Sequence, residues 1–243
     1  MASQCVVYDL FPKPVGRYPN QDHQALKPVI MELCRSQKFF RNTGGKAPAY
    51  HTKLGRHESN LLDVQHPLLT RFYEYLADCA NHFAYAVMGL KYEYPMMLTS
   101  LWINSVHSGG NEARHNHANS IVSGTYYANY SLDHAPLRFY TPRRRTTDSF
   151  SIEVMTDAGT NTKYGWDYTE IKDIAEGDLA LWPSYIEHGY SNNGADNRIS
   201  VSMNFMPSGL CSDYSFKVVR NLDRQEFHEG EGEVSVSDDV LRS

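Results

Sequence analysis

The chain has 243 residues, of which 41% are hydrophobic and 21% charged, with a formal net charge of −5. That balance belongs to a globular domain and excludes a low-complexity disordered chain, while the mean hydropathy of −0.52 and the absence of any run of 18 apolar residues exclude a membrane-spanning helix. The acidic balance gives no overall attraction to nucleic acid or to an anionic membrane, so neither is expected as a partner.

In chain order, Met1 to Asp9 lack the basic start and apolar stretch of a secretory signal, which points to an intracellular, cytoplasmic protein. Val6 to Phe11 reads as a short strand stopped by Pro12 and Pro14. From His23 to Gln37, Leu26, Val29, Ile30, Leu33 and Cys34 recur at helical spacing, with Pro28 tolerable only near the first turns. A second helix is predicted from about Pro67 to Met88. Its stripe of Leu68, Leu69, Phe72, Tyr75, Leu76, Cys79, Phe83 and Val87 has to pack under a sheet, and Gly89 ends it.

After Pro95 the pattern turns to strands: Met97 to Val106, Ile121 to Tyr130, Leu137 to Tyr140, Phe150 to Met155, Asp178 to Trp182 and Ile199 to Phe205. Strands at this density, with no helices between them, make a sandwich or barrel with helices packed outside one sheet. The segment Asn221 to Ser243 holds seven acidic residues against two arginines and reads as a solvated tail. The expected organisation is one domain over 1–220, its core at 96–207, followed by the acidic tail 221–243. Cysteines at 5, 34, 79 and 211 form no C-x-x-C and are read as buried free thiols.

Eleven histidines in 243 residues produce about half an H-x-H pair by chance, so His115 and His117 are informative only through their surroundings. Placed at the opening of the second strong strand, the two imidazoles share a face and can share a metal. The same parity then turns Ile121, Ser123, Thr125 and Tyr127 inward, giving a polar lining next to the pair. Downstream, Arg198, Ser200, Ser202 and Asn204 lie on one face of a strand. A buried face of that kind is costly unless it is fully hydrogen-bonded or binds an anion. Arg143, Arg144 and Arg145 read as a solvated turn, and Ser108-Gly109-Gly110-Asn111 as a turn between strands. His51, His57, His66, His107 and His134 lack partner spacing.

Trp102-Ile103-Asn104, His115-Asn116-His117, the run Ser120 to Tyr127, Gly177 to Ser184, His188 and Arg198 to Asn204 together resemble the iron(II)- and 2-oxoglutarate-dependent oxygenases. The nearest likeness is an uncharacterised branch met in phages and bacteria, and the resemblance spans Leu98 to Pro207. It implies a double-stranded β-helix, or jelly roll, mainly β with N-terminal helices packed on one sheet, and iron(II) and 2-oxoglutarate as cofactor and cosubstrate. The family's usual ligands are H-x-D and one distant histidine. Mapped here they are His115 and His188, with His117 in the carboxylate's seat, and three-histidine iron sites are chemically reasonable.

By the same resemblance Arg198 and Ser200 grip the distal carboxylate of 2-oxoglutarate, Tyr127 completes that grip, and Ser123 and Asn104 are weaker cofactor-binding candidates. The implied reaction takes molecular oxygen and a prime substrate, a small molecule or peptide, and hydroxylates a C–H bond with release of succinate and CO2. Thr141 to Ile174 is where a lid over the substrate is expected. Two other readings stand beside this one. If His117 turns away, an open iron position suits halogenase-like chemistry; a cupin-like module holding zinc or nickel would recognise a ligand without catalysis.

Overall fold

The computed structural model describes residues 12–36, 40–41, 49–51, 61, 64–91, 94–141, 168–171, 173–210 and 216–217. The expected strand at Val6 to Phe11, the strand at Phe150 to Met155, the three arginines 143–145, most of the expected lid and the acidic tail lie outside them.

Thirteen strands are described. In chain order they are β1 (Gly16–Pro19), β2 (Phe40–Arg41), β3 (Ala49–His51), β4 (Met96–Val106), β5 (Glu112–His115), β6 (Val122–Asn129), β7 (Arg138–Tyr140), β8 (Tyr168–Glu170), β9 (Asp178–Pro183), β10 (His188–Tyr190), β11 (Arg198–Pro207), β12 (Gly209–Leu210) and β13 (Phe216–Lys217). Two helices precede β4, α1 (His23–Ser36) and α2 (Pro67–Asn81), the latter running on into a π-helical turn at His82–Val87.

Eleven of these strands form two facing antiparallel sheets. The larger has the order β1-β9-β6-β11-β4-β3-β2 and the smaller β5-β10-β7-β8. From β4 to β11 the chain passes back and forth between the sheets, with β4, β6, β9 and β11 in the larger and β5, β7, β8 and β10 in the smaller, which is the jelly-roll winding the motifs implied. β12 and β13 make a separate hairpin.

Side-chain alternation explains why the large sheet has two different faces. On β11 the odd positions Ile199, Val201, Met203 and Phe205 are buried with Leu101, Ile103, Tyr126, Leu179 and Leu181 against Leu26, Ile30, Phe72, Leu76 and Phe83 of the helical layer. The even positions of β11 face the small sheet. Between the sheets lies a second core containing Val106, Tyr127, Leu137, Phe139, Ala180, Trp182, Ile186 and Tyr190.

The helices agree with the periodicity. Pro28 sits inside α1 without ending it. His66 caps α2 by accepting from Leu68 N at 3.1 Å, with Pro67 at the first turn. The stripe continues through the π-helical turn, whose closing bond runs from Met88 N to Phe83 O at 2.9 Å, and stops at Gly89 with φ +70°. α1 is tied to the sheet by Glu176, which accepts from Lys27 Nζ at 2.8 Å, from Tyr130 N at 3.1 Å and faces His23 Nε2 at 3.2 Å. Of the cysteines within the described residues, Cys79 is buried and Cys34 half-buried, both free, and burial pushes each thiol up to about 11. No described helix is long and apolar enough to cross a membrane.

Gly124 marks a close approach. A Cβ there would lie 2.5 Å from Leu181 Cδ2, 3.0 Å from Ala180 O and 3.2 Å from Met203 Cγ. Gly124→Ala therefore has to push two neighbouring strands apart and is expected to lower stability by roughly 1–3 kcal/mol, read as a shift of the urea midpoint at unchanged slope.

Candidate metal centre

Three imidazoles meet at one end of the space between the sheets. His115 ends β5, His188 begins β10, and the two are paired across the small sheet. His117 lies beyond β5 on the connection to β6, and its backbone N–H donates to Ser184 O at 3.1 Å. This corrects one expectation: His115 and His117 do not open a common strand with Ile121 to Tyr127. The chain leaves the small sheet after His115 and enters the large one at Val122, and the crossing segment carries His117. The inward parity holds for Ser123, Thr125 and Tyr127, whereas Ile121 packs against the helix-side core.

The ring centroids stand 4.4 Å apart for His115 and His188, 5.0 Å for His117 and His188, and 5.2 Å for His115 and His117. One nitrogen of each comes within 4.8 Å of the others, and His115 Nε2 lies 3.2 Å from His117 Nε2. The far nitrogens are occupied. His115 Nδ1 is 2.8 Å from Ala113 O and His188 Nδ1 is 3.0 Å from Ile186 O. A carbonyl can only accept, so both Nδ1 atoms carry the proton and both Nε2 atoms present lone pairs. His117 Nδ1 faces Asn204 Oδ1 at 2.5 Å. Burial, then the neighbouring His115, pushes His188 down to about 3, which leaves it as the neutral imidazole that a metal requires. Three imidazole nitrogens fit a first-row divalent ion such as iron(II), zinc or nickel.

The centre opens into a cavity of about 190 Å³. Its wall includes Trp102, Asn104, Glu112, Thr125, Leu137, Trp182, Tyr190, Arg198, Ser200 and Ser202 besides the three histidines. Arg198 is 2% exposed. Its Nε donates to Ala135 O at 3.2 Å, and its guanidinium carbon lies 4.4 Å from the ring centre of Tyr190, 5.6 Å from Tyr127 and 5.9 Å from Tyr130. Among the described residues it has no carboxylate partner within 4.0 Å. A buried guanidinium flanked by tyrosine faces, with one N–H on a backbone carbonyl and no carboxylate partner among the described residues, is a strong site for an anion.

The other sequence candidates divide. Ser200 lines the cavity beside Arg198. Asn104 also lines it, with its Nδ2 donating to Ser202 Oγ at 2.8 Å. Ser123 sits behind His117, 2.8 Å from Ser184 Oγ and donating to Asn204 Oδ1 at 3.0 Å. Tyr127 is 2% exposed, packs edge-on against Tyr130 and is not part of the wall. Tyr190, which does line it, was missed. It lies two residues beyond His188 on the same strand, and that spacing was the available signal. Trp182 was missed as well: its ring stands edge-on to His188 with centroids 4.7 Å apart, and its Nε1–H is the buried side-chain polar atom without a partner among the described residues. Of the histidines without partner spacing, His66 caps α2, and His134 bridges Ser131 N and Asp196 O.

Residues 100–204 match the family model described as "Putative 2OG-Fe(II) oxygenase", so the resemblance read from the motifs is borne out at the level of the family and not of any branch. No curated protein sequence matches the chain. Among solved structures, a Pseudomonas putida prolyl-4-hydroxylase superposes with a TM-score of 0.53 at 12% identity, covering 80% of this chain and 93% of that one. The non-heme alpha ketoglutarate dependent epimerase SnoN from nogalamycin biosynthesis gives 0.56 at 11% identity over 81% and 79%. A 2OG-Fe(II) oxygenase family oxidoreductase from Burkholderia pseudomallei gives 0.52 at 13% over 79% and 84%. At these identities the likeness establishes a shared jelly-roll fold.

Proposed function

We propose that this chain is an iron(II)- and 2-oxoglutarate-dependent dioxygenase that hydroxylates a C–H bond of a prime substrate, a small molecule or peptide. The balance is substrate, O2 and 2-oxoglutarate to hydroxylated substrate, succinate and CO2. The observation that carries this reading is the convergence in one cavity of three oriented imidazoles and a buried guanidinium without a carboxylate partner among the described residues. The first set suits the metal and the second suits the carboxylate of its cosubstrate.

His115, His117 and His188 would hold iron(II). Bound there, the metal supplies oxygen activation and the oxidative decarboxylation of 2-oxoglutarate. Three protein nitrogens leave the remaining positions for small ligands. Arg198 presents a planar fork to a carboxylate, and the Ser200 hydroxyl adds one donor beside it. Tyr190 covers the far side of the guanidinium at 4.4 Å and keeps water from competing for it. Trp182 and Leu137 make the wall less polar, which strengthens the electrostatic grip. The 3.2 Å approach of His117 to His115 favours a closed three-nitrogen set over the open position that halogenase-like chemistry needs. Arg198 disfavours a non-catalytic module, which has no use for a carboxylate clamp beside its metal.

The test is aerobic incubation with iron(II), ascorbate and 2-oxoglutarate. Succinate is expected to form slowly without prime substrate, and to stop on adding a chelator. A protein that takes up metal yet yields no succinate would remove the enzymatic reading and leave the binding module.

A further inference from the structure

We infer that Asn204 is a positioning residue that holds His117 in the one tautomer able to ligate a metal ion; this rests on the three-histidine reading of the centre. His115 and His188 have their Nδ1 protons fixed by the backbone oxygens of Ala113 and Ile186, which no side-chain substitution at those two positions removes. At His117 the acceptor is a side chain, Asn204 Oδ1 at 2.5 Å, with Ser123 Oγ at 3.0 Å from the same nitrogen. A side-chain amide has two unlike ends. With Oδ1 towards the ring, Nδ1 keeps the proton and Nε2 offers a lone pair. With Nδ2 towards the ring, Nδ1 must accept, the proton moves to Nε2, and an N–H points at His115 Nε2 3.2 Å away.

The surroundings favour the first arrangement. Asn204 is 3% exposed. Its Nδ2 donates to Ser100 Oγ at 3.2 Å, and its Oδ1 also accepts from Ser123 Oγ at 3.0 Å. Ser123 is itself 2.8 Å from Ser184 Oγ, which donates to Ser120 Oγ at 2.9 Å, and Ser120 Oγ lies 2.8 Å from Val122 O as donor. With Ser120 donating to Val122 O and Ser123 donating to Asn204 Oδ1, these hydroxyls are compatible with Oδ1 as the acceptor towards the ring. The same strand therefore serves both halves of the site: Arg198 and Ser200 line the cavity, and Asn204 orients the ligand at its other end.

The experiment uses the full chain and nickel(II) alone as probe. Calorimetry is expected to show Asn204→Leu binding nickel roughly 10–100-fold more weakly than the parent, the usual loss for a partner behind a metal-bound histidine. Asn204→Asp keeps an acceptor at Nδ1 and is expected to retain parental affinity or exceed it. In the metal-free parent and in Asn204→Asp, two-bond 1H–15N spectra should show His117 protonated at Nδ1; in Asn204→Leu the Nε2–H form should appear. Equal nickel affinity for parent and Asn204→Leu overturns this inference alone, as does an Asp variant that fails like the Leu variant. A parent that takes up no nickel overturns the metal centre and the inference together. Should Asn204→Leu not fold, Ser100→Ala releases the amide's far end, and an unchanged His117 tautomer and nickel affinity in that variant count against the proposal.

Discussion

Arg198→Ala is expected to raise the 2-oxoglutarate concentration needed for half-maximal succinate formation by roughly one and a half to three and a half decades. That range converts about 2–5 kcal/mol for losing a buried, charge-assisted contact to a carboxylate. Metal affinity should change little, because Arg198 contacts the tyrosine rings and Ala135 O and not the imidazoles. Arg198→Lys separates charge from shape. An ammonium keeps the charge but lacks the planar fork, so its constant should fall between those of the parent and the alanine variant. The comparison to make is succinate yield against 2-oxoglutarate concentration beside nickel affinity on the same preparations. Equal losses of metal and cosubstrate affinity would mean that Arg198 only supports the fold.

The elements legible in the sequence were those long enough to show a period. α2 and its π-helical continuation carry a stripe over six turns, and β4, β6, β9 and β11 alternate or are β-branched over six to eleven residues, so each could be placed within a residue or two. The small sheet was largely invisible. β5, β8 and β10 are four, three and three residues long, too short for alternation to be counted. What makes them strands is pairing across the sheet, such as His188 opposite His115.

The site divides along the same line. Arg198, Ser200, Ser202 and Asn204 were found on one face because β11 is long and regular. His115 and His117 lie side by side but not on one strand, since a two-residue spacing looks the same along a strand and across a turn between sheets. Tyr190 stayed hidden because its strand was not recognised. Tyr127, placed by parity, does face inward, but it packs behind Arg198 against Tyr130 while Tyr190 takes the wall. Parity fixes the face of a sheet and leaves open which side chain reaches the cavity.

His117→Ala is expected to cost metal affinity on the order of 3 kcal/mol, about two decades, if the binding energy of a small all-protein metal site is shared evenly among its ligands. The paired substitution, His117→Asp, restores the family's usual donor and is more informative. A carboxylate lowers the net charge at the metal and is a good iron(II) ligand, but it is shorter than imidazole. It also meets Asn204 Oδ1, which at 2.5 Å is set to accept from a nitrogen donor. Two oxygens facing each other repel, so the Asn204 amide has to reverse and donate Nδ2 to the new carboxylate, breaking its bond to Ser100 Oγ. Reversal is feasible because the hydroxyls can follow it, Ser100 turning to donate to Oδ1 and Ser123 turning to accept from Nδ2. Iron should therefore be retained in His117→Asp at or near parental content and largely lost in His117→Ala, with 2-oxoglutarate still held through Arg198 in both. Iron content and succinate yield measured on the two variants side by side decide the matter. An alanine variant that keeps its iron and turns over like the parent would show that His117 is no ligand, and the centre would then rest on His115 and His188 with an open third position.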